Sequence, residues 1–195
     1  MVKTKEPIFA GDIDWKNNAC LNFSNDSTEF YAVGYKDAGD VIAERVISTG
    51  RNQDILIYPL VFLYRQYIEL RLKEIIREAR LLLEEEGDSY YHHNIDKLWK
   101  TVKPLVEEAF QNEPEPLDLD YAEHVITEFS KIDPGSFSFR YSTGKKEEKS
   151  LKGVKHINIR RVAEHVNKLS KDLETISLGI SVYMERKQDM MEENG

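Results

Sequence analysis

The sequence predicts an all-α protein, an up-and-down bundle of four to five helices with a basic loop before the last helix. Two observations support this: apolar residues recur at spacings of three and four through most of the 195 residues, and Gly, Pro or capping residues separate these runs. Hydrophobic residues make up 41% of the chain, enough to bury a core. We divide the chain into an N-terminal arm (1–25), a helical bundle (26–185) and a frayed polar tail (186–195).

The first two predicted helices form the centre of the bundle. The first begins near Ser27 and ends at Thr49, with an apolar side made of Phe30, Tyr31, Ala38, Val41 and Ile42. The second begins near Asp54, ends at Gly87 and is apolar on two sides: Ile57, Val61, Ile68, Leu72, Ile75, Ala79 and Leu83 face one way, and Leu60, Leu63, Tyr67 and Leu70 the other. It is therefore the central helix of the bundle, or it also forms an oligomer contact.

Two shorter helices are predicted next. The third covers about Asn94 to Gln111, and Pro104 inside it predicts a kink or a division into two short helices. Its apolar side consists of Ile95, Leu98, Trp99, Val102, Leu105, Val106, Ala109 and Phe110. The fourth is capped by Asp118, ends near Lys131 and faces inward with Ala122, Val125, Ile126 and Phe129.

The segment before the last helix is predicted to be irregular. Apolar and polar residues alternate over 136–141, which favours an extended segment, and residues 142–156 form a mobile basic loop. The last helix extends from about Asn158 to near Met184.

Charge is distributed unevenly along the chain. The formal net charge is −8, but Arg140 to Arg161 holds eight Lys or Arg against two Glu, which makes this stretch +6 and the remainder −14. A basic stretch on an acidic body is either a solvated loop or a contact for phosphates. In the second case Arg140, Tyr141, Lys145 and Lys146 are the expected ligand-binding residues.

Several classes of protein are excluded or disfavoured. One cysteine, Cys20, excludes an internal disulfide framework and a multi-cysteine metal site. No apolar run is long enough to span a bilayer, and the first residues lack the apolar core of a signal peptide, so we expect a cytoplasmic protein. We predict neither a metal nor a cofactor.

Arg65 and Glu69 stand one turn apart on the second helix, and Arg65 falls within its apolar stripe. A buried arginine must be paired or open to a cleft. The two residues are therefore a structural ion pair, or they present an arginine to a ligand phosphate.

Histidines offer further candidates. His92 and His93 could bind a metal or carry protons, or they could cap and pack the entry to the third helix. Asp120, His124 and Glu128 share one strip of the fourth helix at a metal-like spacing, although charges on such a strip are also ordinary surface residues.

Arg160 and His165 bracket four residues at the start of the last helix. Such a pair could cleave RNA, with His165 as general acid or base and the arginine neutralising the charge on phosphorus. Arg161 and His165 share a helix face better, because residues five apart diverge by about 140°.

Three stretches resemble the HEPN superfamily, prokaryotic helical bundles often found in defence and toxin systems. Leu63–Lys73 (LYRQYIELRLK) resembles its long central helix, and His93–Trp99 (HNIDKLW) resembles the segment that follows in part of the superfamily. Phe137–Tyr141 (FSFRY) is similar to an aromatic-arginine signature before the last helix. The resemblance covers roughly residues 25–183.

The resemblance implies a bundle that commonly forms a homodimer. Catalytic members are metal-independent ribonucleases in which an Arg precedes a His by four to six residues, a spacing that Arg160 and His165 fit. Members without this motif are thought to bind nucleotides, RNA or partner proteins. We therefore expect a dimeric, HEPN-like binding module in defence or stress response that contacts RNA, a nucleotide or a protein through its basic segment. The alternatives are a ribonuclease and a pure protein-interaction module.

Overall fold

The chain forms an all-α bundle, as the sequence predicts. The computed structural model describes residues 7–21, 28–87, 92–115, 117–144 and 148–193. Over these ranges it contains five α-helices and no strand: α1 (Thr28–Thr49), α2 (Gln53–Leu83), α3 (Ile95–Ala109), α4 (Asp120–Ile132) and α5 (Ile159–Glu193). A short 3₁₀ turn, Trp15–Asn17, lies in the N-terminal arm. Ser27, Lys145 and Lys146 lie outside the described residues.

Helix α2 is the centre of the bundle. It packs against α1, α3 and α5, and each helix also packs against the next one along the chain. Residues from both of its apolar sides are buried, among them Val61, Ile68 and Leu72 on one side and Leu60 and Tyr67 on the other. The second apolar side is therefore covered in part by the chain itself, with Leu63 and Leu70 partly exposed.

The predicted inner face of α1 is wrong except at Ile42, which is partly buried and packs against the core. Phe30, Tyr31, Ala38 and Val41 are exposed, and the buried residues are Ala32, Gly39, Ala43 and Val46. One reason is close packing on α2: a Cβ placed on Gly39 would lie 2.6 Å from Cε1 of Tyr64, so only a glycine fits there.

Helices α3 and α4 bury the apolar residues that their periodicity predicts. Asn94 caps α3 by accepting a hydrogen bond from the Lys97 amide at 3.0 Å. Pro104 does not divide α3, which continues to Ala109. Asp118 accepts a hydrogen bond from the Asp120 amide at 3.1 Å, just before α4.

The connection from α4 to α5 departs from the prediction. Residues 136–141 form a turn instead of an extended segment, because the amides of Arg140 and Tyr141 both bond to the Phe137 carbonyl at 3.1 Å. An antiparallel bridge, Thr143 with Lys149, follows within the predicted basic loop.

Helix α5 is longer than predicted and includes most of the predicted polar tail. It continues past Met184 to Glu193. Lys187 explains part of this extension, since its ammonium bonds to the Leu82 carbonyl at 3.0 Å and lies 2.6 Å from Glu84 Oε1 at the end of α2. Over the described ranges, no helix combines the length and apolar character needed to cross a membrane.

Candidate functional site

Arg65 joins the α2–α3 connection and the α4–α5 connection to α2 by hydrogen bonds. Its side chain is fully buried and donates to Glu69 Oε2 at 3.1 Å, to the Asp133 carbonyl at 3.4 Å and to the His93 carbonyl. Burial is the main cause that lowers the pKa of Arg65, partly offset by Glu69. Because the guanidinium has no exposed surface, it fits the structural ion pair and does not reach a ligand directly.

Glu69 links this buried charge to the surface. Its Oε1 accepts from Lys73 Nζ at 2.7 Å and from His93 Nδ1 at 2.8 Å, while the carboxylate itself is almost fully buried. Burial favours a higher pKa for Glu69, but the bonds from Lys73 and His93 and the charges of Lys73 and Arg65 outweigh it, so the pKa is lowered. The His93 side chain is 69% exposed. Glu69 thus fixes the Nδ1 edge of the exposed His93 imidazole and the partly buried ammonium of Lys73.

The turn at 133–141 is fastened to the same strip of α2. Asp133 Oδ1 accepts from the amides of Phe137 and Ser138 at 2.8 and 3.0 Å. Gln66 donates to Ser136 Oγ at 2.7 Å, and Arg140 Nε donates to the Ser136 carbonyl at 2.7 Å. These bonds fix the direction in which Arg140 leaves the turn.

Arg140 lies among three aromatic rings. Its guanidinium carbon is 5.6 Å from the centroid of Phe62, 5.2 Å from Phe137 and 5.4 Å from Tyr141. We call these four residues the Arg140 cluster. Phe137 and Tyr141 are about half exposed, at 44% and 55%. The cluster therefore offers solvent an oriented cation and exposed ring surface, which suits both a phosphate and a stacked base.

The basic segment beyond the cluster is open to solvent. Its described cations are all exposed, and no acidic side chain among the described residues lies within ion-pair distance of them: Lys149, Lys152, Lys155, Arg160 and Arg161. The positive charge that the sequence locates here is thus not neutralised within the described part of the chain.

A second region lies between α4 and α5. His124, Glu128, Arg161 and His165 line a cavity of about 360 Å³. Tyr121 Oη and His165 Nδ1 are 2.8 Å apart, and the two rings stack at 5.9 Å between centroids. Arg161, one turn before His165, shares this groove, whereas Arg160 is not part of its lining.

Metal binding gains no support from these groups. No three His, Cys, Asp or Glu side chains are gathered in a metal-binding arrangement anywhere in the described ranges. Glu128 instead pairs with Lys131 at 2.8 Å, which lowers the pKa of Glu128.

A third region adjoins the Arg140 cluster. The first turns of α2 and the 151–157 segment enclose a cavity of about 440 Å³, lined by Gln53, Asp54, Tyr58, Lys155 and His156 with an apolar floor that includes Phe139. Tyr58 stands one turn before Phe62 on α2, and Phe139 directly precedes Arg140. The cavity and the cluster are therefore neighbours, one helical turn apart on α2.

Two of the three sequence stretches, Leu63–Lys73 and His93–Trp99, are joined at Arg65, and the third, Phe137–Tyr141, comes four residues after Asp133, whose carbonyl accepts from Arg65. The central-helix stretch contributes Arg65 and Glu69, the second contributes His93, and the third follows Asp133 and ends in the Arg140 cluster. Sequence reasoning missed Phe62, although its position three residues before Arg65 places it on the same strip of α2. The Asp133-Pro-Gly sequence predicts a turn here, and the structure adds that the Asp133 carboxylate shapes it.

The fold and these regions define a helical bundle with a cationic, aromatic surface on one side. Neither the protein-family models, nor the curated proteins, nor the solved structures compared with this chain gave a match.

Proposed function

We propose that this chain is a binding module for single-stranded RNA. The observation that carries the proposal is the Arg140 cluster, an exposed arginine held among three rings at the start of a segment whose described cations form no ion pair. Proteins that bind single strands combine a positive path for the backbone with aromatic rings for the bases.

The charge of the whole chain supports binding at this side alone. With a net charge of −8, most of the surface repels a polyanion, and the stretch from Arg140 to Arg161 is the region that attracts it. Unpaired bases suit the half-exposed rings of Phe137 and Tyr141, whereas bases in a duplex are already stacked.

A salt series tests the proposal directly. Binding of a labelled RNA of about 12 nucleotides, followed by fluorescence anisotropy, should weaken steeply as salt rises. Arg140→Gln should reduce affinity about tenfold and flatten the slope of log K against log salt by about 0.7, the value for one lost phosphate contact. Affinity that is absent at low salt, or that does not vary with salt, would contradict the proposal.

Arg186→Gln is the matched control. Arg186 is also an exposed arginine over a tyrosine, with its guanidinium carbon 5.7 Å from the Tyr183 ring, but it lies near the end of α5. It should leave the affinity for RNA unchanged within about twofold, because single surface charges remote from a site contribute little.

The cellular setting is part of the proposal. Following the resemblance, we propose a cytoplasmic, prokaryotic, HEPN-like homodimer in defence or stress response.

The exposed residues Phe30, Tyr31 and Val41 of α1 offer an apolar surface for such a dimer. A strict monomer in sedimentation at high protein concentration would remove the dimer from the proposal. Binding of a free nucleotide or a protein in place of RNA would contradict RNA as the ligand.

Metal-independent RNA cleavage is the second candidate function. It is favoured by the α4–α5 groove, where Arg161 lies beside a histidine whose Nδ1 is held by Tyr121. Loss of cleavage in His165→Ala, with retention in His93→Ala, would place the acid–base group in this groove. Unchanged cleavage in His165→Ala would exclude His165 from the mechanism.

A further inference from the structure

The cavity beside the Arg140 cluster has the make-up of a nucleobase pocket. Its volume of about 440 Å³ falls within the range typical of small-ligand sites. The floor is apolar, with Ile57, Leu151 and the buried ring of Phe139 beneath it. Tyr58, 47% exposed, supplies a ring on which a base can stack.

The polar groups of the cavity are of two kinds. Asp54 and Gln53 come from the first turn of α2, and Lys155 and His156 come from the basic segment. Within the described part of the chain, no hydrogen bond or ion pair engages the side chains of these four residues. One wall therefore presents acceptors and an amide, and the other presents a cation and an imidazole.

This division matches a nucleotide, which carries base-edge donors at one end and a phosphate at the other. The Asp54 carboxylate accepts hydrogen bonds only, and it can take two parallel donors. The Gln53 amide can donate one bond beside it. Guanine presents the complementary edge, with O6 as acceptor and N1–H and N2–H as adjacent donors.

Adenine fits the same walls less well. Adenine offers Asp54 only the N6 amino donor, next to the acceptor N1, so the second carboxylate oxygen is left without a donor. A carboxylate left unpaired against a bound base weakens binding, because the site loses water without replacing its hydrogen bonds.

We infer that this cavity holds one guanine base of the bound strand, with Asp54 reading its edge and Tyr58 stacking on it. The inference rests on the proposed RNA binding and names the base that the same surface selects. The strand would continue along α2 from Tyr58 to Phe62, one turn further on, so that its backbone passes Arg140.

The experiment compares uridine-rich oligonucleotides that differ at one central position, occupied by guanosine, inosine or adenosine. Guanosine should bind about tenfold more tightly than adenosine, a factor typical of one bidentate base contact. Inosine, which lacks the 2-amino donor, should fall between them. Asp54→Asn should reduce the preference for guanosine over adenosine to about twofold or less, because the amide offers one acceptor in place of two.

Two further variants complete the test. Tyr58→Ala should weaken binding of all three oligonucleotides about equally, since stacking does not depend on the base. Asp37→Asn removes an exposed carboxylate on α1 away from the cavity and should leave the preference for guanosine intact. Equal affinity for the three oligonucleotides, or a preference for adenosine, would overturn the guanine pocket and leave RNA binding standing. Absence of binding to all three would overturn both.

Discussion

Glu69→Gln removes the charge at the centre of the Arg65 network with little change in shape. Glu69 accepts three hydrogen bonds, at 3.1 Å from Arg65, 2.7 Å from Lys73 and 2.8 Å from His93. The bond to Arg65 lies wholly inside the protein, where breaking one member of an ion pair costs about 3–5 kcal/mol. The other two donors are partly exposed and contribute less.

The glutamine keeps one acceptor oxygen, so we expect a loss of about 3 kcal/mol in the free energy of unfolding. In a chain of this length that loss lowers the melting temperature by about 6–12 °C. Equilibrium unfolding in urea should show a lower midpoint at an unchanged slope. Glu128→Gln is the control, because its bond to Lys131 joins two exposed side chains, and it should change stability by less than about 0.5 kcal/mol.

The stabilisation by Glu69 should also depend on pH. Its folded-state pKa is lower than that of an unfolded glutamate, so its contribution is present above the ordinary glutamate pKa and is lost as the pH falls through the folded value. The difference in stability between the wild type and Glu69→Gln should therefore shrink below about pH 4. A loss under about 1 kcal/mol at neutral pH would refute the view that this network stabilises the fold.

Two further predictions concern the packing of α2. Gly39→Ala should destabilise the chain by about 1–2 kcal/mol, because the new Cβ meets the buried ring of Tyr64 at 2.6 Å. The control, Gly34→Ala, meets nothing within 4 Å and should stabilise the chain by up to about 1 kcal/mol through helix propensity. Equal effects of the two alanines in thermal unfolding would contradict the close contact. Tyr67→Phe should cost about 1 kcal/mol, since it removes the buried 2.8 Å bond from Tyr67 to Ser170 Oγ; an unchanged urea midpoint would show that this bond contributes nothing.

The helical architecture could be predicted because long apolar periodicity determines it. The central position of α2 followed from its two apolar sides, and the inward residues of α4 followed from their spacing. The orientation of α1 could not be predicted in this way. By hydrophobicity, Phe30 and Tyr31 are better candidates for burial than Gly39. The short distance between α1 and Tyr64 of α2 requires a glycine at position 39, and that distance depends on how two helices pack, so the sequence of α1 alone does not indicate it.

The candidate site was predictable only where its members are close in sequence. Arg65 and Glu69 are four residues apart, so their pairing is visible in the helical spacing. The other acceptors of Arg65 are the carbonyls of His93 and Asp133, which lie 28 and 68 residues further along the chain. They are backbone atoms and carry no side-chain signature, so no sequence pattern indicates them.

Arg65 and Arg140 show how burial assigns different roles to similar residues. Both follow aromatic residues closely in sequence, and both bond to a backbone carbonyl of the 133–141 turn. The Arg65 side chain has no exposed surface, and its guanidinium donates to the Glu69 carboxylate and to the carbonyls of His93 and Asp133. Its charge therefore joins the two connections to α2. Arg140 donates through Nε to Ser136 and rests on rings that neutralise none of its charge, so its terminal nitrogens remain able to bind an anion. The turn that Arg65 secures is the one that carries Arg140, and the buried ion pair would therefore support the proposed binding by holding the exposed arginine in place.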